Sequence, residues 1–322
     1  MKRYGWLLGC CLFLSIGMLW AADEPDLRML QQKAAQSRDM EGYVGVCKYL
    51  YQTEENPELL LLYADSIHQL ATKSKKPEQL VEYYIWASEG NFIKGDFQQG
   101  YALKRKAIAL AEKAGLKFAI SQSCCDMGYY CNVDARYDSA RYYFRKGLEA
   151  GEDLSEAGEA CRTMLTNYAS SFLFEGKTDS ALVYTIRASE RSAADKDTAM
   201  LIENLNQLGT IYRRKKNLEN CIANFEQALH LCELRGNHNA VAFIYGNIAT
   251  AYCDWNRPVD AIPFSEKAVE YALKTGNKRR IGTCYVNLGA IQIRLVQMRA
   301  EGIATLLKAI PILEEVNDRR LL

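Results

Sequence analysis

Side chains able to do covalent, acid–base or metal chemistry are scattered along this chain. His68, His230 and His238 stand far apart. No phosphate-cradling loop, metal-binding helix motif or Gly-x-Ser-x-Gly elbow accompanies them. Cys10 and Cys11 lie close to the start; the other cysteines are Cys47, Cys124, Cys125, Cys131, Cys161, Cys221, Cys232, Cys253 and Cys284. Those nine make an odd number, and none forms a Cys-x-x-Cys. A zinc or disulfide framework would show tighter spacing. Most fall on apolar helical faces, where cysteine acts as a small hydrophobe, so buried thiols are expected. The spacing of these groups supports no catalytic constellation. The expectation is a protein with no catalytic residues, no metal and no cofactor.

The side chains that do recur regularly are amides. Asn167, Gln207, Asn247 and Asn287 each precede a large-small residue pair, and Asp126 holds that place once earlier. A carboxamide carries both donor and acceptor groups. Repeated at a fixed step, it can bond the backbone of an extended peptide without reading its side chains. The local alternative is that these amides bond a neighbouring helix or loop. Asn206, Thr210, Arg213 and Glu203 share or flank the same helical face, with Thr250, Thr166, Ser170, Phe243, Val286 and Ala290 as counterparts elsewhere. This lining is mixed and small, with little charge. It suits an extended segment, and it lacks the matched Lys and Asn of a carboxylate clamp. The candidate peptide-binding residues are therefore Asn167, Gln207, Asn247, Asn287, Asn206, Thr210, Arg213 and Thr250. The basic runs Arg213–Lys216 and Lys278–Arg280 read as solvated helix C-termini, where the helix dipole favours cations. Tyr142, Tyr143, Tyr212 and Tyr252 read as packing residues.

These side chains need a periodic scaffold, and the sequence has one. Large-small pairs begin at Tyr168, Leu208, Ile248 and Leu288, a step of 40 residues. Each sits in an amphipathic helix. A second helix follows, marked by Ala181 and Ala188, by Cys221, Phe225 and Ala228, by Ala261 and Ala268, and by Gly302, Leu306 and Ala309. Small residues seven apart share one face and let helices approach closely. The last pair has one extra residue near Gln297–Glu301. Met127-Gly128 with Ala140, Phe144 and Gly147 gives an earlier copy, and Tyr84 to Ala107 a degenerate one. Pro57 to Ser74 reads as a helix capped by Asn56. Pro263 and Pro311 fall inside second helices, where proline is expected to kink.

Large-Gly/Ala-x-x-Tyr, a turn, then Ala-x-x-x-Phe-x-x-Ala resembles the tetratricopeptide repeat across roughly residues 80–316. The usual period is about 34 residues, so this is the longer-helix variety. The resemblance implies an all-α, right-handed superhelical solenoid of antiparallel helix pairs with a concave binding groove. It implies protein or peptide partners. Exported arrays of this kind resemble the sensory half of bacterial membrane regulators.

The ends and the charge set the context. Lys2 and Arg3 precede an uncharged apolar run from Tyr4 to Trp20, then Ala21-Ala22-Asp23. This is the pattern of a secretory signal peptide; an uncleaved membrane anchor is the alternative. The reading is a signal at 1–22, lead-in helices over 23–56 and a solenoid over 57–322, clearest at 117–316. Without the first 21 residues the chain carries 38 bases and 39 acids, which gives no footprint for nucleic acid. The expected place is periplasmic or extracytoplasmic. Residues 317–322 match the start of a further repeat, and no polar capping helix follows. Self-association through 303–322, as in a structural assembly subunit, is therefore the alternative to peptide binding.

Overall fold

A computed structural model of the chain describes residues 27–53 and 56–316. The expected signal at 1–22 and the repeat-like start at 317–322 lie outside the described residues. No helix among the described residues is long and apolar enough to cross a membrane. The structure divides into two compact units, residues 1–175 and 176–322.

The first unit holds α1 (Leu27–Ser37), α2 (Met40–Thr53), α3 (Pro57–Ser74), α4 (Pro77–Lys94), α5 (Phe97–Ala114), α6 (Lys117–Val133), α7 (Tyr137–Gly151) and α8 (Gly158–Phe174). The second holds α9 (Thr178–Ala194), α10 (Thr198–Arg214), α11 (Leu218–Leu234), α12 (His238–Asp254), α13 (Pro258–Thr275), α14 (Lys278–Arg294) and α15 (Arg299–Glu315). Within each unit every helix packs on the next one in the chain. The first helices of successive pairs also meet, as α10 meets α12 and α12 meets α14. The architecture is all-α, built of helix pairs, and the lead-in segment supplies two helices.

Capping explains where the helices begin. Asn56, Asp96, Asp197, Asn217, Asn237 and Asn277 each accept a hydrogen bond from the backbone N–H three residues on, at 2.9–3.1 Å. That satisfies one of the donors a helix N-terminus leaves open. Asp197, Asn237 and Asn277 recur at the 40-residue step. The turns recur too. Left-handed residues close the turns at Gly95, Ala135, Gly176, Lys216 and Asn256, and at Lys75, Gly115, Lys196, Gly236 and Gly276. The two departures from 40 coincide with short 3-10 turns at Ser155–Ala157 and Val296–Met298. The second is the expected insertion; the first is a further one that the pair positions 127 and 168 already contained.

The large-small pair is a packing device. A Cβ at Gly209 would lie 2.5 Å from the Phe225 ring, and Gly128 meets Phe144 in the same way. Glycine in the first helix thus admits an aromatic from the second, sixteen positions later. Where the first helix carries Ala249 instead, position 265 is a serine. The marker residues Ala181, Ala188, Cys221, Phe225, Ala228 and Ala261 are all fully buried. Pro263 and Pro311 do not break their helices. The carbonyls they leave without a donor belong to Val259 and Leu307, both strongly exposed, so water can serve them.

Candidate functional site

On α10 the residues Ala199, Glu203, Asn206, Thr210 and Arg213 are spaced so that they share one face, and all are half-buried. Asn239, Phe243, Asn247 and Thr250 occupy the matching part of α12, also half-buried. Three lateral contacts tie these first helices together, each joining residues 41 apart. The Asn247 Nδ2 donates to Asn206 Oδ1 at 2.7 Å. The Arg213 guanidinium lies 3.5 Å from the Asp254 carboxylate. The Arg280 Nε donates to Asn239 Oδ1 at 3.0 Å, while its guanidinium stands 5.0 Å over the Phe243 ring. Thr210 and Thr250 turn their hydroxyls back onto Asn206 O and Gly246 O, at 3.1 and 2.8 Å. Both keep acceptor capacity toward the face.

The four recurring amides occupy different environments. Asn167, in the first unit, is half-buried, and its carbonyl accepts from Asn132 Nδ2 at 3.0 Å. Gln207 is buried, and its Oε1 accepts from Thr185 Oγ1 at 3.1 Å. Asn247 is engaged with Asn206, and Asn287 is exposed. The structure therefore brings together Asn206, Asn247, Thr210, Thr250 and Arg213 on adjoining helices. It places Gln207 beneath them.

Glu203 differs from the other charged residues of this face. Among the described residues it has no hydrogen-bond or ion-pair partner. Burial pushes its carboxyl up to about 7, and the nearby Asp197 carboxylate adds to the rise.

The first unit contains a cluster that the sequence did not reveal. Lys104 is fully buried on α5 and donates to Glu89 of α4 and, at 2.9 Å, to Asp126 of α6. Tyr130 Oη donates to the other Glu89 oxygen at 2.7 Å. Burial opposes the Lys104 charge, but Asp126 and Glu89 outweigh it and hold the ammonium above the ordinary lysine range. Burial raises the Glu89 carboxyl, against the pull of Lys104. Asp126 occupies the place of the amides, and here that place carries an ion pair. The only sequence signal was a lysine on an otherwise small and apolar helical face.

Two expectations change. Lys278–Arg280 opens α14 rather than closing a helix, where the dipole disfavours cations. Lys278 is balanced by Glu315, whereas Arg280, among the described residues, meets only the neutral amide and ring described above. Tyr142 is about half exposed, with Lys146 5.7 Å over its ring, so it is no core residue. Tyr252 does pack, stacked on Phe264 at 5.3 Å. Eight of the nine described cysteines are buried and all nine are free thiols; Cys253 is half-buried.

A stack of helix pairs with left-handed turn residues and Gly-on-Phe contacts can be compared with known families. Residues 197–274 match the tetratricopeptide-repeat family model. That span runs from the cap of α10 into α13 and includes two of the three lateral contacts, Asn206 with Asn247 and Arg213 with Asp254. Among curated proteins, none matches the chain. Solved tetratricopeptide-type structures match in fold. The apo form of RapI superposes with a TM-score of 0.67 at 12% identity, over 89% of this chain and 79% of its own. Aspartyl phosphate phosphatase F from Bacillus subtilis gives 0.58 at 15%, over 92% and 88%. The Rap conjugation gene regulator of plasmid pLS20, in complex with the Phr* peptide, gives 0.53 at 13%, over 90% and 84%. At such identities the likeness is one of fold. The tetratricopeptide-type fold holds for helix pairs in both units, and no catalytic family is indicated.

Proposed function

We propose that this chain is a non-catalytic protein- or peptide-binding module of the cell envelope, and that the polar face of α10, α12 and α14 is its contact surface. The observation that carries this reading is the set of half-buried polar groups, Asn206, Thr210, Asn247 and Thr250, on adjoining first helices. Their remaining donors and acceptors suit main-chain groups of an extended segment. The peptide complex of the Rap regulator supports the same use of the fold. The signal-peptide pattern supports export, and the resemblance to exported regulators supports a sensory or scaffold role. Affinity capture from an envelope extract tests the reading, comparing the chain with its Asn206→Ala/Asn247→Ala variant. Loss of a captured partner with the variant is expected. Capture that is unchanged by the variant would remove the face from consideration.

A second reading has its own observation. Ile303, Leu307 and Ile310 of α15 are 55%, 60% and 40% exposed and share a helical face. An assembly subunit would bury that stripe against another copy. Sedimentation of the chain beside Leu307→Glu discriminates: a concentration-dependent oligomer abolished by the substitution favours assembly, and a monomer in both leaves the binding module.

A further inference from the structure

The charges on the second unit's face are unevenly compensated. Arg213 has Asp254, and Lys278 has Glu315. Glu203 on α10 has no cation, and Arg280 on α14 has no carboxylate, among the described residues. Among the described residues, Asp197, at the cap of α10, is the only charged group that acts on Glu203. The helices of this unit packed against α10, namely α9, α11 and α12, bring none to it. Arg280 satisfies one N–H on Asn239 and rests on Phe243; its remaining guanidinium donors have no acid to meet. Phe243 belongs to α12, the helix between the two charges. The face thus presents an uncompensated anion at one step, an aromatic and an amide pair in the middle, and an uncompensated cation at the next step but one.

The geometry points to a ligand of defined charge order: an extended peptide segment with a basic side chain at Glu203 and an acidic group at Arg280. This rests on the peptide-binding reading of the same face. Helix axes pack roughly 8–10 Å apart, so two steps separate the charges by about 16–20 Å. An extended chain advances about 3.3 Å per residue, which sets the two ligand charges about five or six residues apart. Charge complementarity favours this occupant over a uniformly acidic or basic one, since either would meet a like charge at one end. The amides between the charges serve the segment's backbone.

Protonation gives an independent readout. The raised Glu203 carboxyl is mostly neutral at pH 6 and mostly ionised at pH 8. A ligand cation favours the ionised form, so binding releases protons and strengthens as pH rises through about 7.

The test is selection of a displayed random decapeptide library on the full chain, on Glu203→Gln and on Arg280→Gln, followed by titration of selected peptides at pH 6 and 8. The expected result is enrichment of peptides with a basic and an acidic residue at the stated spacing, in one order along the peptide. Glu203→Gln would remove the basic preference and the pH dependence and weaken such peptides about tenfold or more. Arg280→Gln would remove the acidic preference alone. Peptides enriched without a charge pattern, or a pattern untouched by both substitutions, would overturn the charge-order inference and leave peptide binding standing. No enrichment of any peptide would overturn both.

Discussion

At the residue scale, the two groups of ionisable side chains make opposite demands. Lys104 is buried between Glu89 and Asp126. Removing one partner from a buried ion cluster leaves charge uncompensated and costs about 3–5 kcal/mol. Lys104→Met is therefore expected to lower the denaturation free energy by that amount in urea titrations, with partial recovery on adding Glu89→Gln. Glu203 shows the reverse case. Its carboxyl titrates near 7 when folded and near its ordinary value of about 4.3 when unfolded. Its ionisation thus subtracts stability as pH rises from about 4 through 7. Glu203→Gln should stabilise the ligand-free chain at pH 8 relative to pH 5, by at most about 3 kcal/mol and by less where water still reaches the carboxylate. Thermal melts at the two pH values check this, and an equal effect at both would contradict it. Neither behaviour was legible in the sequence. Glu89 and Lys104 are fifteen positions apart and meet only because α4 and α5 turn back on each other at Gly95. The amides deceived in a related way: side chains meet across first helices at an offset of 41, one more than the repeat step. Asn247 therefore finds Asn206 rather than Gln207, and Gln207 falls inside.

At the element scale, far more was readable. The pairs at 168, 208, 248 and 288 located the first helices, and the small residues located the second ones. The residue types also state the packing rule, since glycine opposite an aromatic is a volume constraint written in sequence. Gly209→Ala should cost about 1–3 kcal/mol, because its Cβ would press into the Phe225 ring. Adding Phe225→Leu should return much of that loss, and a double-mutant cycle measures the coupling. Additive effects would show that the two positions do not share space. What sequence could not supply was the sense of the basic run at 278–280. The residues before it, Gly276 and Asn277, serve equally well as the end of one helix and the cap of the next, and here they do both.

At the scale of the whole molecule, the cysteines are informative because they are spread through both units. Burial pushes the thiols up, Cys47 and Cys232 to about 12 and Cys221 and Cys284 to about 11. Such thiols form little thiolate and react slowly. Among the nine described cysteines, alkylation of the folded chain should label Cys253 first and the buried eight only on unfolding, even in material recovered from an oxidising compartment. Rapid labelling of several sites would mean a looser interior than this one. The Gly-on-Phe contact carries a last consequence, for how such a chain can change over generations. Phe225 fits only opposite a glycine such as Gly209, and the alanine-bearing first helix of the next pair fits only a smaller partner such as Ser265. A recombination point inside a pair would join mismatched volumes, whereas one between pairs would not. The heritable module is thus the hairpin of two helices, and duplications or deletions that survive should come in lengths close to forty residues.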